Sequence, residues 1–253
     1  MESKFTNETY TNIQSDILIF GYSIVKDVIP MSVVDELREF GFSLLKEPIA
    51  EGVVWDPYIG EHNKVCYSDD NFQCMYRGYA FPWNIGEGRF GFKIFDELNS
   101  IRFNLAKRMS ENTSIQIDDI YNTWTYYPPG KGRLQKHQDN VYSSSLLLHY
   151  IIPLTFKGQD FNTGGLYLTD REGNVVDVDA NLKKGDVLFF DGNCEHEVKL
   201  IDSMGGVGRM QAFSIPTKFK YPEVSDRFLS NLSLLKIVLI KFNKFLNLVK
   251  RKI

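Results

Sequence analysis

Residues 121–140 read YNTWTYYPPGKGRLQKHQDN and end in a His-x-Asp pair, His137 and Asp139. The turn signal Pro128-Pro129-Gly130 divides this segment and predicts two strands joined by a turn. Side chains alternate between the two faces of a β-strand, so positions i and i+2 point to the same side. An imidazole and a carboxylate at this spacing can therefore hold one metal ion.

A third potential ligand, His196, follows in the segment KKGDVLFFDGNCEHEVKLI. This segment predicts a turn, an apolar strand, a second turn and then His196 at the start of another strand. Two imidazoles and one carboxylate on one face of a metal leave the opposite positions open, as in the non-haem Fe(II) oxygenases. We therefore expect His137, Asp139 and His196 to form one metal site.

Arg209 comes shortly after His196, in the segment GVGRMQAFSIP. A turn near Met204-Gly205 predicts that the flanking strands form a hairpin, which would bring Arg209 beside the His196 strand. A guanidinium can hold a carboxylate through two parallel hydrogen bonds. An acid of suitable length would then bind the metal at one end and Arg209 at the other.

The rest of the chain predicts a mainly β domain with flanking helices. Residues 17–25 are apolar and β-branched and predict a strand, whereas apolar residues recur at helical spacing after Pro30 and again over 94–109. The stretch 47–91 predicts irregular loops that cover the core edge or face a substrate. Many short strands favour a sandwich or jelly roll over a βαβ fold. They are predicted at 115–127, 133–139, 144–154, 164–169, 186–190, 194–201 and 207–216.

Composition limits the classes of function. The chain has 253 residues, of which 43% are hydrophobic, so one domain can bury a sizeable core. Its net charge of −3 gives no electrostatic case for binding nucleic acid. The three cysteines lack disulfide or zinc spacing, the first residues are polar and acidic, and no apolar run reaches the length of a membrane span. These features predict a cytoplasmic protein.

Residues 221–253 are predicted to form a basic amphipathic helix outside a catalytic domain at 1–220. Apolar residues dominate positions 232–249, and six lysines and arginines follow position 228 without any acid. Such a helix can pack on its own sheet, on a sister subunit or on an anionic membrane surface. Packing on protein is the interpretation we favour.

The order of these motifs resembles the Fe(II)/2-oxoglutarate-dependent dioxygenases. His-x-Asp, a Gly-Gly-Leu turn at 164–166, Gly-Asp-Val-Leu-Phe-Phe before a histidine, and an arginine followed by an apolar strand occur here in that family's order. The segment YPPGKGRLQKHQDN is similar to the prolyl-hydroxylase branch, and the similarity spans 115–216. The resemblance implies a double-stranded β-helix, that is, a cupin-like jelly roll, with Fe(II), 2-oxoglutarate as cosubstrate and O₂.

The resemblance also implies roles for individual residues. His137, Asp139 and His196 match the iron ligands, and Arg209 matches the basic residue that binds the distal carboxylate of 2-oxoglutarate. Halogenases of the superfamily lack the metal-binding carboxylate, so Asp139 disfavours halogenation. Ile215 stands where the nucleic-acid demethylases place a second arginine, which disfavours that branch.

Two tyrosines are implied to contact the cosubstrate. Tyr127 matches a tyrosine that faces 2-oxoglutarate in the prolyl hydroxylases. Tyr150 matches one that bonds its distal carboxylate, unless the register falls on His149 instead. Five further residues could line a substrate pocket, but aromatic residues are more often core and we do not place these five in the site: Trp55, Arg77, Trp83, Arg89 and Trp124.

The function expected from this resemblance is hydroxylation of an unactivated C–H bond in a small molecule, such as an amino acid or a natural-product intermediate. Two alternatives remain open. One is a prolyl hydroxylase acting on a protein or peptide, which needs an open channel, whereas a free amino acid needs a closed pocket with a charged anchor for its carboxylate. The other is a cupin-like module that binds metal without turnover.

Overall fold

A computed structural model of the protein describes residues 5–46, 49–51, 64–80, 93–109, 120–139, 147–202 and 206–216. The predicted tail helix at 221–253 lies outside these ranges, as do Trp55, Trp83 and Arg89. Within the ranges, no helix is long and apolar enough to cross a membrane.

The described residues contain three helices: α1 Asn7–Phe20, α2 Met31–Leu44 and α3 Lys93–Arg108. Helices α2 and α3 confirm the two predicted helices, and each buries one apolar face. Helix α1 was not predicted, because its last turn holds the apolar residues that predicted a strand from position 17. The side chain of Thr6 caps its start, and Gly21 ends it with a φ of 87°, which glycine adopts without strain.

The predicted strand at 17–25 is therefore wrong for its first half, since a short apolar run does not distinguish a strand from the buried end of a helix.

Twelve strands lie in the described ranges. They are β1 Tyr22–Val25, β2 Ile49–Glu51, β3 Lys64–Asp69, β4 Gln73–Ala80, β5 Ile120–Tyr127, β6 Arg133–His137, β7 Leu148–Pro153, β8 Gly165–Thr169, β9 Val175–Asp177, β10 Val187–Asp191, β11 His196–Lys199 and β12 Arg209–Pro216. All seven strands predicted after residue 115 are found, while β2, β3 and β4 occupy part of the stretch predicted to be irregular.

The strands form one curled, mainly antiparallel sheet. Its order is β1-β10-β7-β12-β5-β4-β6-β11-β8-β9, with β3 and β2 alongside β4. Strand β4 joins the two halves of the sheet because it pairs with β5 over 76–80 and with β6 over 73–74. The half that ends in β4 carries the helices on its outer face, and its inner face packs against the half that begins with β6.

Two apolar clusters occupy the two faces of the helix-bearing half. The outer cluster contains Trp124, which is 2% exposed and donates a hydrogen bond from its indole to the carbonyl of Leu37 at 2.9 Å. Trp124 is therefore a core residue, as expected. The inner cluster lies between the two halves of the sheet and includes Met75, Tyr127, Phe161, Leu166, Phe190 and Val198.

Strands β11 and β12 do not form the predicted hairpin. Strand β11 pairs with β6 and β8, whereas β12 pairs with β5 and β7. The chain crosses from one half of the sheet to the other between 199 and 209, and a turn signal alone does not reveal which strands pair. Arg209 nevertheless enters the interior, because it stands directly opposite Tyr127.

Gly41 sets how closely α2 packs on the sheet. A Cβ atom at this position would lie 2.6 Å from both Met210 Sδ and Trp124 Cδ1. Alanine is the better helix former by about 1 kcal/mol, but overpacking a core costs roughly 1–3 kcal/mol. We expect Gly41→Ala to lower the free energy of unfolding in urea, and Glu39→Ala, on the exposed face of α2, to change it by less than about 0.5 kcal/mol. Equal stability of the two variants would contradict this packing.

Candidate metal centre

Two histidines meet where β6 ends and β11 begins. His137 and His196 are directly opposite each other in the antiparallel pairing, and their ring centroids are 4.3 Å apart. Each Nδ1 lies beside the backbone carbonyl two residues earlier, at 2.7 Å from Gln135 and 3.0 Å from Cys194. A carbonyl oxygen only accepts hydrogen bonds, so each Nδ1 carries the proton and each Nε2 keeps its lone pair for a metal.

Asp139 completes the group from just beyond the end of β6. Its backbone N–H donates to the carbonyl of Gly192 at 2.9 Å, which ties it to the turn after β10. Its carboxylate oxygens lie 3.4 Å from Nε2 of His137 and 3.5 Å from Nε2 of His196. Sequence reasoning placed both residues of the His-x-Asp pair on one strand face, whereas the turn at Gly192 is what holds Asp139.

The turn at 191–194 is organised by Asp191, a residue that sequence reasoning missed. Its carboxylate is buried and accepts hydrogen bonds from the backbone N–H groups of Leu147 and Asn193, and it pairs with Arg171 at 2.6 Å. The turn presents two carbonyls to the site, one to Asp139 and one to His196. The only signal in the sequence was an acid at the end of an apolar strand.

Electrostatic interactions act differently on the three candidate ligands. Burial lowers the pKa of His196, which keeps its imidazole neutral. Burial acts in the same direction on His137, but the neighbouring carboxylate and the Gln135 carbonyl outweigh it and raise the pKa of His137. Burial alone would raise the pKa of Asp139, yet the approach of His137 and His149 holds it well below its usual value. Asp139 is therefore ionised.

The three side chains fit a divalent metal ion. One ligand atom from each of His137, Asp139 and His196 lies within 4.8 Å of the others, and no second such group of three occurs among the described residues. Two imidazoles and one carboxylate make up the facial ligand set of non-haem Fe(II) sites. The sequence-predicted triad is thus brought together.

Arg209 and Tyr127 lie in the same interior. Each residue is 1% exposed, and the guanidinium carbon is 5.5 Å from the centroid of the Tyr127 ring. Burial raises the pKa of Tyr127, so its phenol stays neutral. Both residues therefore take buried positions inside the barrel, and their predicted contacts with 2-oxoglutarate stay predictions.

Asp179, which sequence reasoning also missed, pairs with Arg209. Nε and Nη2 of Arg209 donate to its two oxygens at 2.6 and 3.2 Å, and Nη1 donates to Oε1 of Gln211 at 2.6 Å. A Cβ atom on Gly165 would lie 2.5 Å from the Asp179 carboxylate, so the Gly-Gly turn makes room for it. A guanidinium has five N–H donors. Three are used here, which leaves two on the terminal nitrogens.

Tyr150 does not reach the candidate site. Its hydroxyl donates to Oγ of Ser214 at 2.8 Å, and its ring lies 5.2 Å from the guanidinium carbon of Arg102 on α3. The alternative, His149, points to the opposite face of β7, where its Nε2 is 3.2 Å from Asp139 Oδ2, although the contact lacks the geometry of a hydrogen bond. The predicted contact of Tyr150 with the cosubstrate is therefore not supported, since strand alternation turns it towards the helices.

Comparison with known proteins identifies the fold. No protein-family model matches the chain, and no curated protein does. A solved prolyl-4-hydroxylase from Pseudomonas putida matches with a TM-score of 0.59 and 14% identity, over 85% of this chain and 99% of that one. A prolyl hydroxylase from Trichoplax adhaerens, solved with a hypoxia inducible factor peptide, matches with a TM-score of 0.55 and 16% identity over 85% and 94%.

A third match is SnoN, a non-heme alpha-ketoglutarate-dependent epimerase from nogalamycin biosynthesis. Its TM-score is 0.54 and its identity 13%, over 90% of this chain and 91% of that chain. These structures confirm the predicted double-stranded β-helix fold.

The Asp179–Arg209 pair gives a test of the interior. Asp179→Ala leaves a buried guanidinium without its counter-ion, and breaking a buried pair in this way costs about 3–5 kcal/mol. The measurement is the free energy of unfolding in urea. The matched control is Asp35→Ala, because Asp35 pairs with Lys184 while 55% exposed and such pairs contribute less than about 1 kcal/mol. Similar losses in both variants would contradict burial of the Asp179 pair.

Proposed function

We propose that the protein is an Fe(II)- and 2-oxoglutarate-dependent dioxygenase that hydroxylates an unactivated C–H bond of a small molecule, such as an amino acid or a natural-product intermediate. The convergence of His137, Asp139 and His196 within one barrel is the observation that carries this proposal. The buried Arg209 in the same interior supports it. The solved structures of similar fold, which include prolyl hydroxylases and an alpha-ketoglutarate-dependent epimerase, support the same reaction class.

The triad would hold the iron through Nε2 of each histidine and a carboxylate oxygen of Asp139. Iron bound there would supply the coupled oxidation in which O₂, 2-oxoglutarate and substrate give succinate, CO₂ and the hydroxylated product. The protein contributes the lone pairs at both Nε2 atoms. Their orientation is set by the Gln135 and Cys194 carbonyls.

Arg209 would receive the distal carboxylate of 2-oxoglutarate. Asp179 and Gln211 fix the plane of the guanidinium and leave two N–H donors, the number that one carboxylate accepts in a bidentate contact. The neutral phenol of Tyr127 packs against the same guanidinium. The inner apolar cluster packs between the two halves of the sheet and would limit the access of water to the site.

A prolyl hydroxylase that acts on a protein or peptide is the second candidate. Two of the similar solved structures are prolyl hydroxylases, one of them with a bound peptide fragment. Succinate formation with Fe(II), 2-oxoglutarate and either free amino acids or proline-containing peptides separates the two candidates. Metal binding without turnover of any substrate would favour the non-catalytic cupin-like module.

Loss of the acidic ligand tests the metal centre. Asp139→Ala removes one of three ligands, and we expect metal affinity and succinate formation to fall by more than about 100-fold. Mn(II) titration calorimetry and succinate detection measure the two effects. Glu197→Ala is the matched control, because Glu197 follows His196 on β11 and points to the opposite face. Retention of full activity in Asp139→Ala would remove this residue from the mechanism.

Replacement of the guanidinium tests the cosubstrate anchor. Arg209→Lys keeps a charge beside Asp179 but loses the planar fork, so we expect the KM for 2-oxoglutarate to rise about 10- to 100-fold. The KM for 2-oxobutyrate, which has no distal carboxylate, should change much less. An equal rise for both 2-oxo acids would mean that Arg209 does not contact the distal carboxylate.

A further inference from the structure

The inner face of β4 and β5 carries a polar patch that the proposed mechanism does not use. Arg77 stands directly opposite Thr125, and Tyr79 stands opposite Thr123. Paired residues share a face of the sheet, and so do alternate residues of one strand. Thr123 and Thr125 therefore point to the same side as Tyr127, which belongs to the inner cluster. We call Arg77, Thr123 and Thr125 the Arg77 patch.

Three buried atoms of this patch lack hydrogen-bond partners among the residues that the structure describes. They are Nε of Arg77 and the hydroxyl oxygens of Thr123 and Thr125. Both threonines are fully buried. Leaving a buried donor or acceptor unsatisfied costs roughly 1–3 kcal/mol per group, so native proteins keep few such groups. Three of them side by side indicate a place that a polar ligand completes.

The charge of Arg77 is also uncompensated within the described residues. Its described side-chain contacts are from Nη2 to Sδ of Met75 at 3.7 Å, where the thioether is a weak acceptor, and a hydrogen bond with the phenol of Tyr79. Burial raises the pKa of Tyr79, so this phenol is uncharged and does not balance the charge of Arg77. Arg209, by contrast, has Asp179 as its counter-ion. A half-buried guanidinium without a counter-ion is suited to an anionic ligand.

The strand register places the patch next to the proposed cosubstrate anchor. On β12, Gln211 is opposite Thr125 and Arg209 is opposite Tyr127, so the patch lies one step further along the same face. Arg77 therefore lies one same-face step along the sheet from Arg209.

We propose that the Arg77 patch binds the carboxylate of the substrate, so that the molecule oxidised is a small organic acid such as a free amino acid. A carboxylate accepts two parallel hydrogen bonds from a guanidinium and further bonds from hydroxyl groups. It therefore matches the patch in both charge and number of donors. Arg209 serves the cosubstrate in the proposed function, on which this inference rests, and Arg77 is a second cation on the inner face of the described strands that a second acid can use.

Butanoate is a suitable probe of this patch, and butanamide is its uncharged match. The full chain is saturated with 2-oxoglutarate and Mn(II), and saturation-transfer NMR reports binding of each probe. Broadening of the probe signals by Mn(II) reports that it lies near the metal. We expect the wild-type chain to bind butanoate near the metal. Its affinity for butanamide should be lower by a factor of about ten or more.

Variants of the patch then identify the residues that bind the probe. Arg77→Met and Thr125→Val should weaken butanoate binding by about 10- to 100-fold and leave the weak butanamide binding unchanged. Arg77→Lys should retain part of the affinity. Arg133→Met is the control, since Arg133 on β6 already contacts Asp69 and the Asp70 carbonyl at the surface.

Thermal unfolding separates a binding role from a structural role. Valine removes the unsatisfied hydroxyl of Thr125 without changing the shape of the side chain, so Thr125→Val should be at least as stable as the wild type while it binds butanoate less. Equal binding of both probes, or unchanged butanoate binding in Arg77→Met and Thr125→Val, would overturn the proposal. If 2-oxoglutarate does not bind, the proposed function fails, yet Arg77-dependent butanoate binding remains measurable by saturation transfer.

Discussion

The pairing of β6 with β11 is the interaction on which the candidate site depends. It sets His137 opposite His196 at the junction of the two strands. A local hydrogen bond orients each ring: each Nδ1 donates to a backbone carbonyl of its own strand or of the preceding turn. Asp139 joins them only because the turn after β10 holds its backbone. Backbone pairing thus brings His196 to the His137 and Asp139 pair, from which it is distant in sequence.

The barrel interior contains two arginines in opposite electrostatic situations. Arg209 is fully buried and its charge is balanced by Asp179. The guanidinium can therefore stay in the apolar interior when no ligand is bound. Arg77 is less buried and has no such balance among the described residues. The first arrangement suits a permanent anchor whose geometry is set in advance. The second suits a subsite whose last partner arrives with the substrate.

The sequence predicted the parts of the site that depend on local pattern and order. His137, Asp139, His196 and Arg209 follow from ligand chemistry and from a motif order that resembles a known family. Asp179 was not predicted, because it pairs with Arg209 only when the segment after β9 packs against β12. The hairpin prediction failed for the same reason, since strand pairing across a barrel is not encoded in adjacent turns. The choice between Tyr150 and His149 stayed open in the sequence, because one position along a strand reverses the direction of the side chain; in the structure Tyr150 contacts Ser214 and His149 points towards Asp139.

The claim that His137, Asp139 and His196 bind one metal ion is tested most directly by anomalous diffraction at the iron edge, from crystals grown with Fe(II) without oxygen. We expect one anomalous peak about 2.1 Å from Nε2 of each histidine and from an oxygen of Asp139. A peak at another position, or no peak between these three side chains in iron-saturated crystals, would contradict it.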